Sequence, residues 1–586
     1  MATRRLDGLD PWSRRRRTAL AGAAVLVIAA CAGDDGGGAD RAADTSPPVS
    51  VAQSGDGAAS TDPQVPLPEL GTPAGWRDPA GSTVLFRDVT EEAGVDVRFD
   101  SALEVELTKD TAIMMGGAGV GDFDRDGDSD LFVLGGGNER DSLFLNDGTG
   151  VFTDVTESAG LAELHLGAGV AVGDYDGDGW LDLFLTSHGT PDGGATTGAH
   201  RLYRNNGDLT FTDVAAEAGV ATSSTVVHDG LGAVFGDVDL DGDLDLFIAG
   251  WQRDSLGNRL FENHGDGTFS DITEAAGIVD EIGIRGFSPC LVDTTGDRYP
   301  ELLLVADFGT SRYYANAGAI VDGQPRFTDV TETAKVGQEW SGMGTAVGDV
   351  NNDGRLDWYA TAIFDADDVG RGLGNKLYIN QGDNLFDEVA ATAGVDDGDW
   401  GWGAAMVDVN HDGWLDLIET NGWDLPSYVG NLSRMWIARG DGGFTDIAED
   451  AGPLHNLHGL GVVEFDMDAD GDRDIAITAS NDEFTLYRNE LAGSTTNWLT
   501  VDLDTGGSPG LAPDGIGAIV RARVGDQQFT RPIGGCANFN TSSELSAHFG
   551  VADATVIDEL VVEWPNGEVT TMQDVAANQQ VTITPS

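Results

Sequence analysis

Two apolar patterns alternate along residues 84 to 492. The first is a short run of Leu, Phe, Ile and Val that follows an acidic, glycine-bearing loop. Leu131-Phe132-Val133-Leu134, after the loop that ends at Asp130, is the earliest example. Runs this short, bounded by turn residues, predict buried strands rather than helices. The second pattern begins with Phe-x-Asp, as in Phe86-Arg87-Asp88-Val89-Thr90, and returns at Phe152, Phe211, Phe269, Phe327, Phe386 and Phe444. Before most of these stands a signature such as Leu143-Phe144-Leu145-Asn146-Asp147-Gly148 or Leu202-Tyr203-Arg204-Asn205-Asn206-Gly207. There Asn and Gly are expected to supply the left-handed backbone of a hairpin turn. Each unit, roughly 58 residues long, offers a Gly-rich strand, the acidic loop, an apolar strand, a variable loop and a hairpin ending at Phe-x-Asp. Four short antiparallel strands repeated seven times predict an all-β chain built on a seven-bladed β-propeller. The first Phe-x-Asp strand precedes the first acidic loop, and none follows Leu486-Tyr487-Arg488-Asn489 after the last. The N-terminal strand is therefore expected to complete the seventh blade and leave no free edge; an open solenoid is the alternative.

The acidic loops carry the chemistry. In the first, Asp122, Asp124, Asp126 and Asp130 occupy positions 1, 3, 5 and 9, with Gly127 at position 6. Oxygen ligands alternating along an extended loop converge on one hard cation, and the glycine permits the φ > 0 turn that wraps them round it. Calcium suits the set better than zinc, because neither Cys nor His joins it. Further copies are Asp174, Asp176, Asp178 and Asp182; Asp237, Asp239, Asp241 and Asp245; and Asp466, Asp468, Asp470 and Asp474. Two more carry Asn at position 3: Asp349, Asn351, Asp353 and Asp357, and Asp408, Asn410, Asp412 and Asp416. A degraded fourth copy has Asp293, Thr295, Asp297 and Glu301, with Arg298 in place of the glycine. Helical calcium hands need a carboxylate at position 12, which only the Asp408 copy has, at Glu419, so that alternative fails for the set. Six to seven Ca²⁺ sites are expected; solvated acidic turns without metal are the alternative. The fourth should be the weakest. Thr295 is neutral, the Cβ of Arg298 disfavours the left-handed turn, and its charge is expected near the cation.

Composition narrows the partners. The 586 residues exceed one ordinary domain, and 32 basic against 99 acidic residues leave a net charge of −67. Such acidity argues against contact with DNA, RNA or an anionic membrane through the protein body. Four arginines at 14–17 precede an apolar run at 19–30, too short for a spanning helix, so residues 1–30 read as a signal peptide. The run ends Ile28-Ala29-Ala30-Cys31, which resembles a bacterial lipoprotein signal in which Cys31 is lipidated. Ordinary secretion and an uncleaved anchor are the alternatives, and the arginine run also resembles a twin-arginine export signal. Residues 31–83, rich in Gly, Ala, Asp, Ser and Pro, read as a flexible tether.

Units of the form Gly-Asp-x-Asp-x-Asp-Gly-x-x-Asp-Leu resemble the FG-GAP or VCBS repeats of integrin α-subunit propellers and many bacterial surface proteins. The resemblance implies that the Asp and Asn residues above ligate Ca²⁺, helped by the position 7 carbonyl. Thr295 and Arg298 depart from it. Residues 497–586 have another texture: Trp498-Leu499-Thr500-Val501-Asp502-Leu503, Ala518-Ile519-Val520-Arg521-Ala522-Arg523-Val524 and Glu559-Leu560-Val561-Val562-Glu563-Trp564 read as strands of a small β-sandwich. With Gly515-Ile516-Gly517-Ala518, His548-Phe549-Gly550 and Trp564-Pro565-Asn566-Gly567, the segment resembles the ASPIC/UnbV domain. Propeller plus this domain is the arrangement of the cartilage-acidic-protein-like family. His548 invites a catalytic reading, but beside Phe549-Gly550 it is read as a structural hydrogen-bonding residue. Cys290 and Cys536 can pair only if the two domains touch there, and separate buried thiols are expected.

No Ser-His-Asp order, phosphate-cradling loop or zinc cluster stands out. Eight or nine residues before the acidic loops stand His165, His228, Asp229, Arg285, Trp340, Trp400 and His458. In a propeller these ring one mouth of the central channel, where aromatics with His, Arg and Asp can stack on and hydrogen-bond a sugar. The alternative is that they plug the channel and pack between blades. Variable loops carrying Trp251, Phe308, Phe364 and Trp423 form a second candidate surface. The expected function is a monomeric, calcium-stabilised cell-surface binding or adhesion protein that contacts a glycan or extracellular protein. The alternative is an extracellular polysaccharide lyase or hydrolase, for which the channel-mouth histidines are the visible basis.

Overall fold

A computed structural model describes residues 84–585 apart from 101–112, 189–198, 222–228, 252–256, 279–282, 322, 366–373, 424–427, 429, 452–457 and 492–494. The signal segment, Cys31, the tether and His228 lie outside the described residues. All described residues belong to one compact unit, Pro66–Ser586. None of their helices is long and apolar enough to cross a membrane.

The repeats fold as seven four-stranded antiparallel sheets. The first runs through Ala118–Gly121, Asp130–Val133, Ser142–Asn146 and Phe152–Asp154 in sequence order. The inner strands of the others are Gly167–Gly173, Ala233–Gly236, Arg285–Val292, Gly342–Gly348, Gly401–Val407 and Gly459–Phe465. These inner strands adjoin one another in order and the seventh adjoins the first, so the sheets close into a ring. The seventh sheet takes its outer strand from the other end of the repeats. Phe86–Asp88 pairs with Thr485–Asn489, Phe86 opposite Asn489, as the phase of the two patterns requires. The apolar second strands are buried on both faces, and successive sheets share core clusters, such as Phe184 with Phe235 and Leu246.

The Phe-x-Asp pattern has a local cause. Asp154 Oδ1 accepts from both the N–H and the hydroxyl of Thr156, which starts the single helical turn Thr156–Ala159. Thr156 Oγ1 in turn accepts from Leu143 N–H and pins the turn to the third strand. Gly160, at φ 80°, ends it.

Beyond the ring, a three-stranded sheet (Ser546–Gly550, Trp498–Leu503, Gln579–Ile583) and a four-stranded sheet (Gln527–Pro532, Ile519–Val524, Val556–Glu563, Val569–Ala576) enclose one core. Leu499, Val501, Val520, Phe549, Leu560 and Trp564 fill it. The expected sandwich is present. The expected separate thiols are not: Cys290 and Cys536 form a disulfide, with Cα atoms 4.1 Å apart. The segment between Pro532 and Ser546 enters the ring and lies against the inner strand of the fourth sheet. There Leu291 N–H donates to Gly535 O and Ala537 N–H to Pro289 O. Only this tertiary contact, between residues 246 apart, brings the two sulfurs together.

Candidate metal centres on the ring

Each acidic loop joins the inner strand of a sheet to its second strand. Position 9 is the first residue of that second strand and is buried in every loop. Its carboxylate is pinned by backbone. Asp130 Oδ2 accepts from Phe123 N–H at 2.9 Å and Oδ1 from Asn146 N–H at 2.9 Å. Asp182, Asp245, Asp357 and Asp474 repeat the pair with the matching residues of their own sheets. Position 1 draws the loop tip inward: Asp122 Oδ1 accepts from Asp126 N–H and Oδ2 from Gly127 N–H. Gly127 holds φ 99°, where a side chain would be strained.

The loops thereby gather carboxylates. In the first, second, third and seventh, carboxylate oxygens from positions 1, 3 and 9 lie within 4.8 Å of one another: Asp122, Asp124 and Asp130; Asp174, Asp176 and Asp182; Asp237, Asp239 and Asp245; Asp466, Asp468 and Asp474. Several of their oxygens (Asp176 Oδ1, Asp466 Oδ1 and Asp468 Oδ1) are buried without a hydrogen-bond partner. A buried acceptor left unpaired is costly, and a hard cation in each of the two loops would satisfy them. Burial, reinforced by the neighbouring carboxylates, pushes Asp130 up to about 8, Asp182 to about 9 and Asp237 to about 7. These groups can hold metal ions.

Position 5 lies beside these triads, its carboxylate against that of position 3 in the first, third and seventh loops. Asp126, Asp178, Asp241 and Asp470 also cap the next turn of the loop, as where Asp126 Oδ1 accepts from Asp128 N–H. In the fifth and sixth loops the position 3 amide turns to its neighbour: Asn351 Nδ2 donates to Asp353 Oδ2 and Asn410 Nδ2 to Asp412 Oδ2. The fourth loop is the exception. Asp293 accepts from Thr295 N–H and Oγ1–H, Gly296 N–H and Arg298 N–H, so protein donors satisfy it. Arg298 takes the left-handed conformation despite its Cβ, at φ 83°. Its guanidinium does not point at the loop centre as expected; Nη1 donates to Pro565 O in the C-terminal domain.

One set of functional residues was not read as such from the sequence. In the first five sheets the Asn at or near the end of the third strand does begin the hairpin turn, as where Gly148 N–H donates to Asn146 Oδ1. Its amide nitrogen does more: Asn146 Nδ2 bridges Ser129 O of its own loop and Met467 O of the neighbouring sheet's loop. Asn205, Asn263, Asn316 and Asn380 make the same bridge to Phe123, Tyr175, Val238 and Thr294, and Asn489 Nδ2 reaches Val409 O. Ala438 breaks the series in the sixth sheet. The metal-binding loops are thus stitched into the seams between sheets. The recurring Leu-x-x-Asn-x-Gly was the available signal.

The channel-mouth candidates separate. His165 is buried with Nδ1 2.8 Å from Asp141 Oδ2, away from any open surface. Asp229 Oδ1 accepts from Trp251 N–H, and Arg285 lies 4.7 Å over the Trp251 ring and 5.1 Å over Phe308. Trp400 stacks on Trp423 at 4.8 Å and 8°, with the Tyr428 edge at 5.1 Å. Trp340 is 38 % exposed, and half-buried His458 gives its carbonyl to Ser480 N–H. Inside the mouth the channel is packed with Phe287, Met343, Trp402, Leu460 and Phe539. His548 is structural as expected: it is buried, with Nε2 3.1 Å from Gly471 O.

Ring, acidic loops and C-terminal sandwich define a propeller-type protein whose loops can hold metal ions. Residues 122–185, 237–304 and 293–360 match the FG-GAP-like repeat, and residues 508–586 match ASPIC and UnbV, so the chain carries FG-GAP-like repeats followed by an ASPIC/UnbV domain. Over 340 residues it is 26 % identical to cartilage acidic protein 1 of Mus musculus, covering 56 % of this chain and 50 % of that one. The Homo sapiens protein of the same name is also 26 % identical over 340 residues, covering 56 % and 49 %. The chain spans about half the length of the curated relatives it matches. Among solved structures, BBS1N in complex with ARL6DN covers 70 % of this chain and 97 % of that chain at 10 % identity and a TM-score of 0.38, too distant to carry an argument.

Proposed function

We propose that this chain is a calcium-binding, cell-surface-anchored binding protein that contacts a glycan or extracellular protein through the ring face opposite the acidic loops. The supporting observation is the aromatic arc on that face, with Arg285 between Trp251 and Phe308, Trp340 partly exposed, and Trp400 stacked on Trp423. The exposed Trp340 ring suits a sugar ring, which offers C–H faces and hydroxyl edges. Calcium is the cation, in six or seven loops, because the donor sets are all oxygen and sit on pliable loops. The lyase or hydrolase reading loses support at His165, which is held against Asp141 inside the protein. Export ends in lipid attachment at Cys31 after removal of residues 1–30, and an intact mass showing an unmodified mature N-terminus elsewhere rejects that step.

A glycan-array screen of the lipid-free protein in calcium tests the ligand. One glycan class should be retained, and Trp340→Ala should weaken it about tenfold or more while leaving the melting temperature unchanged, because an exposed ring contributes more to binding than to folding. A hit indifferent to Trp340→Ala, or no hit, argues against this face.

A further inference from the structure

We propose that the C-terminal domain is a calcium-held plug of the ring: cations in the acidic loops fix the loop tips that seat the domain, and the Cys290–Cys536 disulfide tethers it when they leave. The proposal rests on the calcium reading above. Its first support is the segment between Pro532 and Ser546, which runs through the channel bonded to inner strands on several sides. Leu291 N–H of the fourth sheet donates to Gly535 O, Ala404 N–H of the sixth to Asn538 O, and Val170 N–H of the second to Asn540 O. Val120 N–H of the first sheet donates to Ser542 O, and Thr541 Oγ1 donates to Val462 O of the seventh. Phe539 sits at the tip, fully buried, 5.6 Å from the Phe287 ring and 5.1 Å from Trp402. It holds φ 107°, a conformation that persists only where surrounding contacts impose it. The inner strands make room for the segment. A Cβ on Gly117 would lie 2.4 Å from Asn540 O, and one on Gly461 would lie 2.2 Å from the Thr541 side chain.

The second support is where the domain rests on the ring. It touches the acidic loops at their tips, mostly at position 6. Arg521 Nη1 donates to Gly354 O, His548 Nε2 faces Gly471 O, and Pro565 O accepts from Arg298. Ala552 N–H donates to His411 O, one residue earlier on the sixth loop's tip than Asp412. A Cβ on Gly413 would meet the Phe529 ring at 2.7 Å, and one on Gly471 would meet Trp498 at 1.8 Å. The first loop contributes from its far end, where Ser129 Oγ donates to Glu544. A tip keeps this shape while the carboxylates of positions 1, 3 and 9 are drawn to one centre, and crowded carboxylates without a cation push it apart. Calcium that binds the seated form better than the released form shifts the balance by that difference in affinity. The glycine at position 6 therefore serves both the cation and the domain.

Hydrogen exchange on the full chain carrying Cys290→Ser and Cys536→Ser, in calcium and then in chelator, tests the proposal. In calcium, the amides of Ala537 and Ser542 should exchange slowly. In chelator they should speed up by about a hundredfold or more, while the domain's own pairs at 519–524 and the ring's second strands keep their protection. With the disulfide intact the same chelator should speed them by less than about tenfold, because the tether keeps the segment at high effective concentration. If the double variant does not fold, the wild-type protein with its disulfide reduced serves as the untethered chain. Unchanged exchange at 537–542 after metal analysis confirms calcium removal overturns the proposal, and so does simultaneous loss of protection in ring and domain. A native protein that binds no calcium overturns the underlying reading instead.

Discussion

Protein stripped of calcium should melt on the order of 15 °C below the same protein in excess calcium. Calcium that binds only the native loops contributes about 2.7 kcal/mol per site at a hundredfold excess over Kd. Six such sites, divided by an unfolding entropy of about 2.1 cal/mol/K per residue over the folded part of the chain, give a shift of that size. The effect should depend on pH. Without a cation, burial raises Asp130 to about 8 and Asp182 to about 9, against 3.8 for the free side chain. The ion-free fold thus holds protons that the unfolded chain has released. Its stability is largest below the unfolded value and falls as pH rises through the folded ones. Calcium replaces those protons and should flatten the slope. Differential scanning calorimetry between pH 5 and 9, with and without chelator, checks both. A chelated protein that melts unchanged would remove the loops' structural role.

The second large effect is expected within a single loop. Asp474→Ala should destabilise the protein by about 2–6 kcal/mol even before calcium is considered, because it strands two buried donors at about 1–3 kcal/mol each. Those donors are Met467 N–H, 2.9 Å from Oδ2, and Asn489 N–H, 2.7 Å from Oδ1. Asn489 also carries the bridge to Val409 of the neighbouring sheet, so the loss reaches the seam between the sixth and seventh sheets. Asp470→Ala, four residues earlier, is the control. Asp470 is exposed, accepts from Asp472 N–H and sets its charge beside Asp468, so its loss should weaken the seventh site while changing calcium-free stability by under about 1 kcal/mol. Urea unfolding of both variants in chelator separates the two roles. Equal destabilisation by both would show that position 9 is no more than a ligand.

Much of this was legible because it is local and repeated. The strand order, the closing role of Phe86 and the nine-residue loop each rest on a pattern that recurs seven times, and a period of strands with acidic turns admits few other folds. What was hidden is long-range. The Cys290–Cys536 bridge joins two domains whose contact no periodicity announces. Asn146 and its equivalents were read correctly as turn residues, yet their second bond crosses to the next sheet, which only ring closure brings near. Arg298 shows the same limit: a residue that looks like damage to a metal loop is in place to hold Pro565. His165 failed in the opposite sense. Its position before the inner strand suggested the channel mouth, whereas Asp141 draws it into the core.

Anomalous diffraction from crystals equilibrated at graded calcium concentrations tests the central claim most directly, because it locates each ion and orders the sites by occupancy. Peaks should appear first among Asp122, Asp124 and Asp130, among Asp237, Asp239 and Asp245, and among Asp466, Asp468 and Asp474. Each of these loops carries five acidic residues and gathers three carboxylates round one centre. The loop starting at Asp293 should fill last, because Thr295, Gly296 and Arg298 already satisfy its first carboxylate. An ion at Asp293 before those three, or no ion in any loop at saturating calcium, would contradict the account.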